Sequence, residues 1–156
     1  MVQDRLRDGT RIAQLVASEL TGDRETLAGV VVADADPDVE PTADGTFAYR
    51  VDHVADPDAI TVGDRGATTV EEDAERTTIA EVFVQPDRAR VEFTAAPDAA
   101  ADAADTAAGD DDRGLRARPK AVDPPRTLVF VEDGAEAKRV MPVFKRVVEV
   151  IAESTE

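Results

Sequence analysis

The sequence predicts an α+β fold, an antiparallel or mixed sheet of four to six strands with N-terminal and C-terminal helices packed on one face. Three observations carry this expectation. Apolar residues recur at helical spacing near both ends of the chain, short β-rich runs fill the middle, and turn residues punctuate them. A chain of 156 residues fits a single small domain, 1–156, able to bury a real core.

Residues 2–21 read as an amphipathic helix. Val2, Leu6, Gly9, Ile12, Ala13, Val16, Ala17 and Leu20 gather on one side at 100° per residue, with Leu15 off the stripe. Gly22 follows as a residue free to take positive φ past the helix end. Such a helix covers a sheet; service as a partner helix is the rival use. Leu27 to Ala33 is a continuous apolar run ending in acidic turn residues, which suits a central strand.

Phe47 to Val54 alternates, with Phe47, Tyr49 and Val51 on one face and Arg50 and Asp52 on the other. Thr77–Val84 and Ala89–Ala95 flank Gln85-Pro86-Asp87-Arg88, a connection suited to an antiparallel hairpin. In the second arm Ala89, Val91 and Phe93 oppose Arg90, Glu92 and Thr94. Thr127 to Glu132 supplies a further strand. Residues 55–76 form a long excursion with a β-like stretch at Ile60–Val62, read as a short edge strand or a partly mobile segment.

Residues 96–112 hold eight alanines and six aspartates without a large apolar stripe, so a disordered acidic Ala/Asp insert is expected at 96–114. On that reading the insert is dispensable for stability. Pro124-Pro125 then makes a rigid, extended junction. Residues 136–153 are amphipathic, with Ala137, Val140, Val143, Phe144, Val147 and Ile151 on one side. Asp133 and Glu136 have capping-box spacing. Pro142 divides two readings. Either one helix kinks there, or Asp133-Gly134 turns a hairpin and a shorter helix starts at the proline. The apolar face keeps its phase through Pro142, which favours the kink.

The solvent is written in the charge. Acidic residues number 34 against 18 basic, a formal net of −16, well beyond the magnitude of about 2 to 8 usual for a small domain. Self-repulsion loosens such a fold in dilute buffer, whereas molar salt shortens the Debye length to about 3 Å. Asp outnumbers Glu 21 to 13, and three lysines face fifteen arginines. This usage resembles the general composition of proteins from extreme halophiles and points to a soluble protein of a salt-rich cytoplasm. Acidic usage in a GC-rich gene of a mesophile is the alternative. The charged residues of Met1–Asp8 do not suit a signal peptide, and no apolar run approaches a membrane span, so no membrane association and a cytoplasmic location are expected.

Catalytic and metal motifs fall short of their patterns. The absence of cysteine removes thiol catalysis and thiolate sites. The carboxylate run Asp34–Glu40 fails the calcium-loop pattern, with Val39 where glycine and Gly45 where glutamate belong. His53, the only histidine, lacks a nucleophile context, since Ser18 and Ser154 are the only serines. Gly63-Asp64-Arg65-Gly66 lacks both phosphate-loop and dinucleotide spacing. Glu71, Glu72 and Glu75 beside Thr68 and Thr69 follow no spacing rule. No catalytic residue, cofactor or metal is therefore assigned.

Charge placement is the one departure from background. Residues 1–112 carry nine basic and 27 acidic side chains, whereas 113–146 carry nine basic and four acidic. In an extended segment Arg116, Arg118 and Lys120 share a side at steps of about 7 Å. With Arg126, Lys138, Arg139, Lys145 and Arg146 they form the candidate contact set for a partner or for phosphates. Pairing with the chain's own carboxylates, Asp110 to Asp112 above all, explains the same block without a ligand. The functional expectation is a protein-interaction or structural role, with a protein partner or a homodimer. The alternatives are RNA or single-stranded DNA binding through 113–146, and a small enzyme using acidic side chains.

Overall fold

The computed structural model describes residues 8–22, 27, 29–33, 35, 39–54, 56, 59–62, 68–71, 74–106, 116–120, 126–132 and 134–154. Its elements run α1 (Gly9–Gly22), β1 (Val30–Ala33), β2 (Thr46–Val54), β3 (Ile60–Val62), β4 (Thr68–Val70), β5 (Arg76–Gln85), β6 (Arg88–Phe93), α2 (Pro97–Thr106), β7 (Arg116–Lys120), β8 (Arg126–Val131), α3 (Gly134–Arg139) and α4 (Met141–Ser154). Six strands form one sheet in the order β1-β2-β5-β6-β8-β7, with every neighbour antiparallel. The four helices lie on one face of it, as the α+β expectation requires.

The inward stripe of α1 is Ile12, Ala13, Val16 and Leu20, all buried. Asp8 caps the helix: its Oδ1 accepts from the amides of Thr10 and Arg11 at 3.0 and 3.3 Å. Gly9 then meets the β5–β6 turn, donating its amide to the Pro86 carbonyl at 3.2 Å. A Cβ there would run into the carbonyl oxygens of Gln85 and Arg88, so only glycine lets the helix start this close. The expected first turns, with Val2 and Leu6, lie outside the described residues.

Across the sheet the helix-facing positions are Tyr49, Val51, Ala80, Val82, Val84, Ala89, Val91, Phe93, Val129 and Val131, all buried. Phe144 of α4 seats its ring 4.9 Å from that of Phe93, anchoring the last helix at the sheet centre. Two bulges in the β2–β5 pairing, at Phe47/Tyr49 and Val51/Asp52, absorb one extra residue each and reset which side chains face the helices.

Three expectations change. β1 is an edge strand, not a central one. Its apolar run is accounted for by cover on both sides, because Val30 joins the main core while Val31 joins a second cluster with Val54 and Ala59. The 55–76 excursion builds that cover: β3 and β4 pair as a separate hairpin, and Ile60, Val70 and Ala74 pack on the second cluster. The strand expected at 60–62 is present, but it does not extend the main sheet.

The third change is α2. A disordered insert was expected at 96–114, yet 97–106 is helical, with Pro97 at its first position, where a missing N–H costs nothing. Ala100 and Ala104, four residues apart, are fully buried against α4 and the β7–β8 side of the sheet. A stripe of methyl groups is enough where the neighbours come close. Thr127 Oγ1 adds a hydrogen bond to the Pro97 carbonyl at 2.6 Å. Residues 107–114 lie outside the described residues.

At the carboxyl end the helix breaks at Val140 and resumes at Met141. The Val140 amide donates to the Glu136 carbonyl at 3.0 Å, and its own carbonyl accepts from Val143 and Phe144. Pro142, exposed, stands second in α4, within the turn whose donors have no helical partner. The kinked reading holds in substance, since the buried face passes through the break. Glu136 Oε1 caps the amide of Glu132 at 2.7 Å, one residue earlier than the expected Asp133, which is outside the described residues.

Candidate functional site

Antiparallel register carries the outward residues of the sheet into rows that cross it. One row runs Phe47–Phe83–Arg90–Phe130, over β2, β5, β6 and β8, and the register position beyond it on β7 is Arg116. No described helix covers this row. The rings of Phe47 and Phe83 meet edge to face, with centroids 5.9 Å apart. The Arg90 guanidinium lies 4.8 Å over the Phe83 centroid. Arg90 also donates to the Asp44 carbonyl and to Glu92 Oε2, both at 2.9 Å. Three half-buried phenylalanines thus share one line with an arginine held over a ring.

The adjacent row is ionic. It runs Arg50–Glu81–Glu92–Leu128, and its β7 register position is Arg118. Glu92 is only 1% exposed, and each carboxylate oxygen has an arginine: Oε2 takes Arg90, and Oε1 takes Arg126 Nη1 at 2.9 Å. The same Arg126 nitrogen reaches Glu81 Oε1 at 2.7 Å. Burial alone disfavours the charge on Arg126, but the bonds to Glu81 and Glu92 outweigh it and raise its pKa.

A second buried carboxylate lies farther along β2. Asp52, 1% exposed, accepts from Arg50 Nε at 2.9 Å, Arg76 Nη2 at 2.7 Å and Thr78 Oγ1 at 2.9 Å. Burial by itself raises the Asp52 carboxyl; the hydrogen bonds from Arg50, Arg76 and Thr78 more than offset it and hold the group below the usual range. The face is therefore a carpet of arginine–carboxylate pairs in which Asp52 and Glu92 are sealed, while Glu81 and the guanidinium groups stay partly open. Arg50, Arg76 and Arg126 keep 31%, 35% and 29% of their side-chain surface.

The eight sequence-derived contact residues do not form one strip. Arg116, Arg118 and Lys120 sit on the edge strand β7, in register with Phe130, Leu128 and Arg126. Arg126 is on the helix-free face and committed to Glu81 and Glu92. Lys138, Arg139, Lys145 and Arg146 belong to α3 and α4, on the other side of the sheet. Lys145 and Arg146 line a groove of about 840 Å³ opposite Asp98 and Asp102 of α2, and Arg146 pairs with Glu149 at 3.1 Å. Lys138 lines a smaller groove with Glu19 and Met141.

Sequence reasoning passed over Arg76, Glu81, Phe83, Arg90 and Glu92. The signal was available: Arg50-Val51-Asp52 and Arg90-Val91-Glu92 are two copies of one strand pattern, placing an arginine and a carboxylate two residues apart on the outward face. His53, on the helix-facing parity at the end of β2, is half-buried, and burial lowers its pKa.

No group of three or more potential metal-ligating side chains gathers among the described residues. No described helix is long and apolar enough to cross a membrane. No curated protein and no solved structure matches the chain. The whole length, residues 1–156, matches the model of a family of unknown function, DUF7993, and the chain belongs to that family.

Proposed function

We propose that the protein is an interaction module of a salt-rich cytoplasm that docks a protein partner on the helix-free face of its sheet. The Phe47–Phe83–Arg90–Phe130 row is the observation that carries this reading. Aromatic residues and arginine are the side chains enriched at the energetic centres of protein interfaces, because they bring large contact area at low entropic cost. The neighbouring ion pairs support the same reading. Arg90 and Arg126 are already bonded to carboxylates, so a phosphate backbone would have to displace those partners, whereas a protein surface can pack on them as they stand.

The test is cross-linking mass spectrometry in native extract at molar salt, comparing wild type with Phe47→Ala/Phe130→Ala. Loss of specific cross-links to this face in the double variant, with its melting transition retained, supports the module. Cross-links that persist unchanged, or that map to the α2–α4 groove, count against it.

A further inference from the structure

We infer that the partner on the helix-free face is a second copy of this chain, two sheets packing face to face about a twofold axis. The inference rests on the interaction reading above and names its occupant.

Charge comes first. The chain carries −16, so two copies repel over most of their surfaces. In the described ion pairs of the helix-free face, Arg50, Arg76, Arg90 and Arg126 stand against Asp52, Glu81 and Glu92, four positive groups to three negative. An equally acidic copy meets little repulsion there, and the edge strand β7 carries Arg116, Arg118 and Lys120 at its register positions.

Shape comes second. A twofold axis parallel to the strands lays the row over itself in reverse, bringing Phe47 to Phe130 and Phe83 to Arg90. Aromatic rings then meet aromatic rings, and each copy offers the other the ring–guanidinium contact that Phe83 and Arg90 already make internally at 4.8 Å. Such self-complementarity is what an isologous interface requires.

Area sets the strength. The β3–β4 hairpin covers the β1–β2 corner of this face. About five strands at ~4.8 Å and five residues at ~3.4 Å then leave a plane of roughly 400 Å² per copy. With side-chain relief the pair buries on the order of 1,000 Å², the lower end for a specific contact. The dimer is accordingly reversible, and salt tightens it by screening the −16 charge.

The chain has no cysteine, which gives a clean test. Sedimentation equilibrium in 2 M KCl should show a monomer–dimer equilibrium, with association about tenfold weaker in 0.1 M KCl. Under a short bis-maleimide, a mixture of Phe47→Cys and Phe130→Cys chains should cross-link to a mixed dimer, whereas Leu15→Cys, exposed on α1, should not. Phe47→Glu should weaken association at least tenfold while keeping a cooperative melt. If Phe47→Glu unfolds, Phe130→Glu, at the other end of the same row on β8, serves as the second variant. Wild type that stays monomeric up to millimolar concentration overturns the dimer but leaves a heterologous partner standing, provided the extract cross-links still map to this face. A dimer cross-linked through Leu15→Cys instead overturns both.

Discussion

The Tyr49 hydroxyl donates to the Ala13 carbonyl at 2.6 Å, joining strand β2 to helix α1 across the core. Tyr49 is 4% exposed, and burial pushes its phenol far above the ordinary range, so it acts only as a neutral donor. Tyr49→Phe removes the bond and keeps the ring, and is expected to cost about 1 kcal/mol by chemical denaturation. A cost near zero would mean that the packing of α1, not this bond, fixes the helix.

Glu92 is the more severe site. Arg90 and Arg126 both converge on a carboxylate sealed from water. Glu92→Ala should destabilise the fold by about 3 kcal/mol or more, because two guanidinium groups lose their buried counter-charge. Glu81→Ala, at a carboxylate 27% exposed, should cost less than about 1 kcal/mol. Equal effects of the two would refute the distinction drawn from burial.

Acid should unfold the protein in two stages. His53 has its pKa lowered by burial, so the unfolded chain takes up that proton first and stability declines as pH falls below about 6.5. Asp52 is held below the usual carboxylate range, against its burial, by Arg50, Arg76 and Thr78; its contribution is complete above about pH 4 and is lost as pH falls through the folded value. Melting temperature against pH should therefore lose its upper limb in His53→Gln and flatten below pH 4 in Asp52→Asn.

Helix α2 should prove indispensable. Ala100→Asp places a charge where the wild-type methyl is fully buried, and is expected to cost more than about 3 kcal/mol. Ala101→Asp, on an exposed position of the same helix, should stay within about 0.5 kcal/mol. Calorimetry of the pair separates a docked helix from a dispensable tract.

Salt provides the last test. A net charge of −16 should give a higher and sharper melting transition in 2 M than in 0.1 M KCl. Equal transitions would show that the arginine pairs already neutralise the repulsion that matters.

What the chain discloses depends on side-chain size and on parity. Alternation in β6 makes the inward set Ala89, Val91 and Phe93 readable, and the stripe of α1 is equally plain. Ala100 and Ala104 are silent in the sequence, because an alanine looks the same on a solvated helix as on a docked one. Cover on both sides of β1 imitates a central strand, and only the β3–β4 hairpin explains it. The basic block is legible as composition, but its division between β7, β8 and the last helices follows from strand order, which a linear charge count does not contain. Rows such as Phe47–Phe83–Arg90–Phe130 arise from register, and two bulges in the β2–β5 pairing place it beyond simple alternation.

Strand order also determines which backbones are left without a neighbour. The sheet ends at β1 and β7. β1 is only four residues long, and β7 reads Arg-Ala-Arg-Pro-Lys. A short rim on one side, and on the other a rim whose proline lacks an amide hydrogen and whose neighbours are cationic, both frustrate the addition of a further strand. Molar salt drives apolar chains together, and there an unguarded rim would template fibrous aggregates. The composition of β7 thus has a reading that needs no ligand: a rim of arginine, proline and lysine discourages a further strand from pairing there.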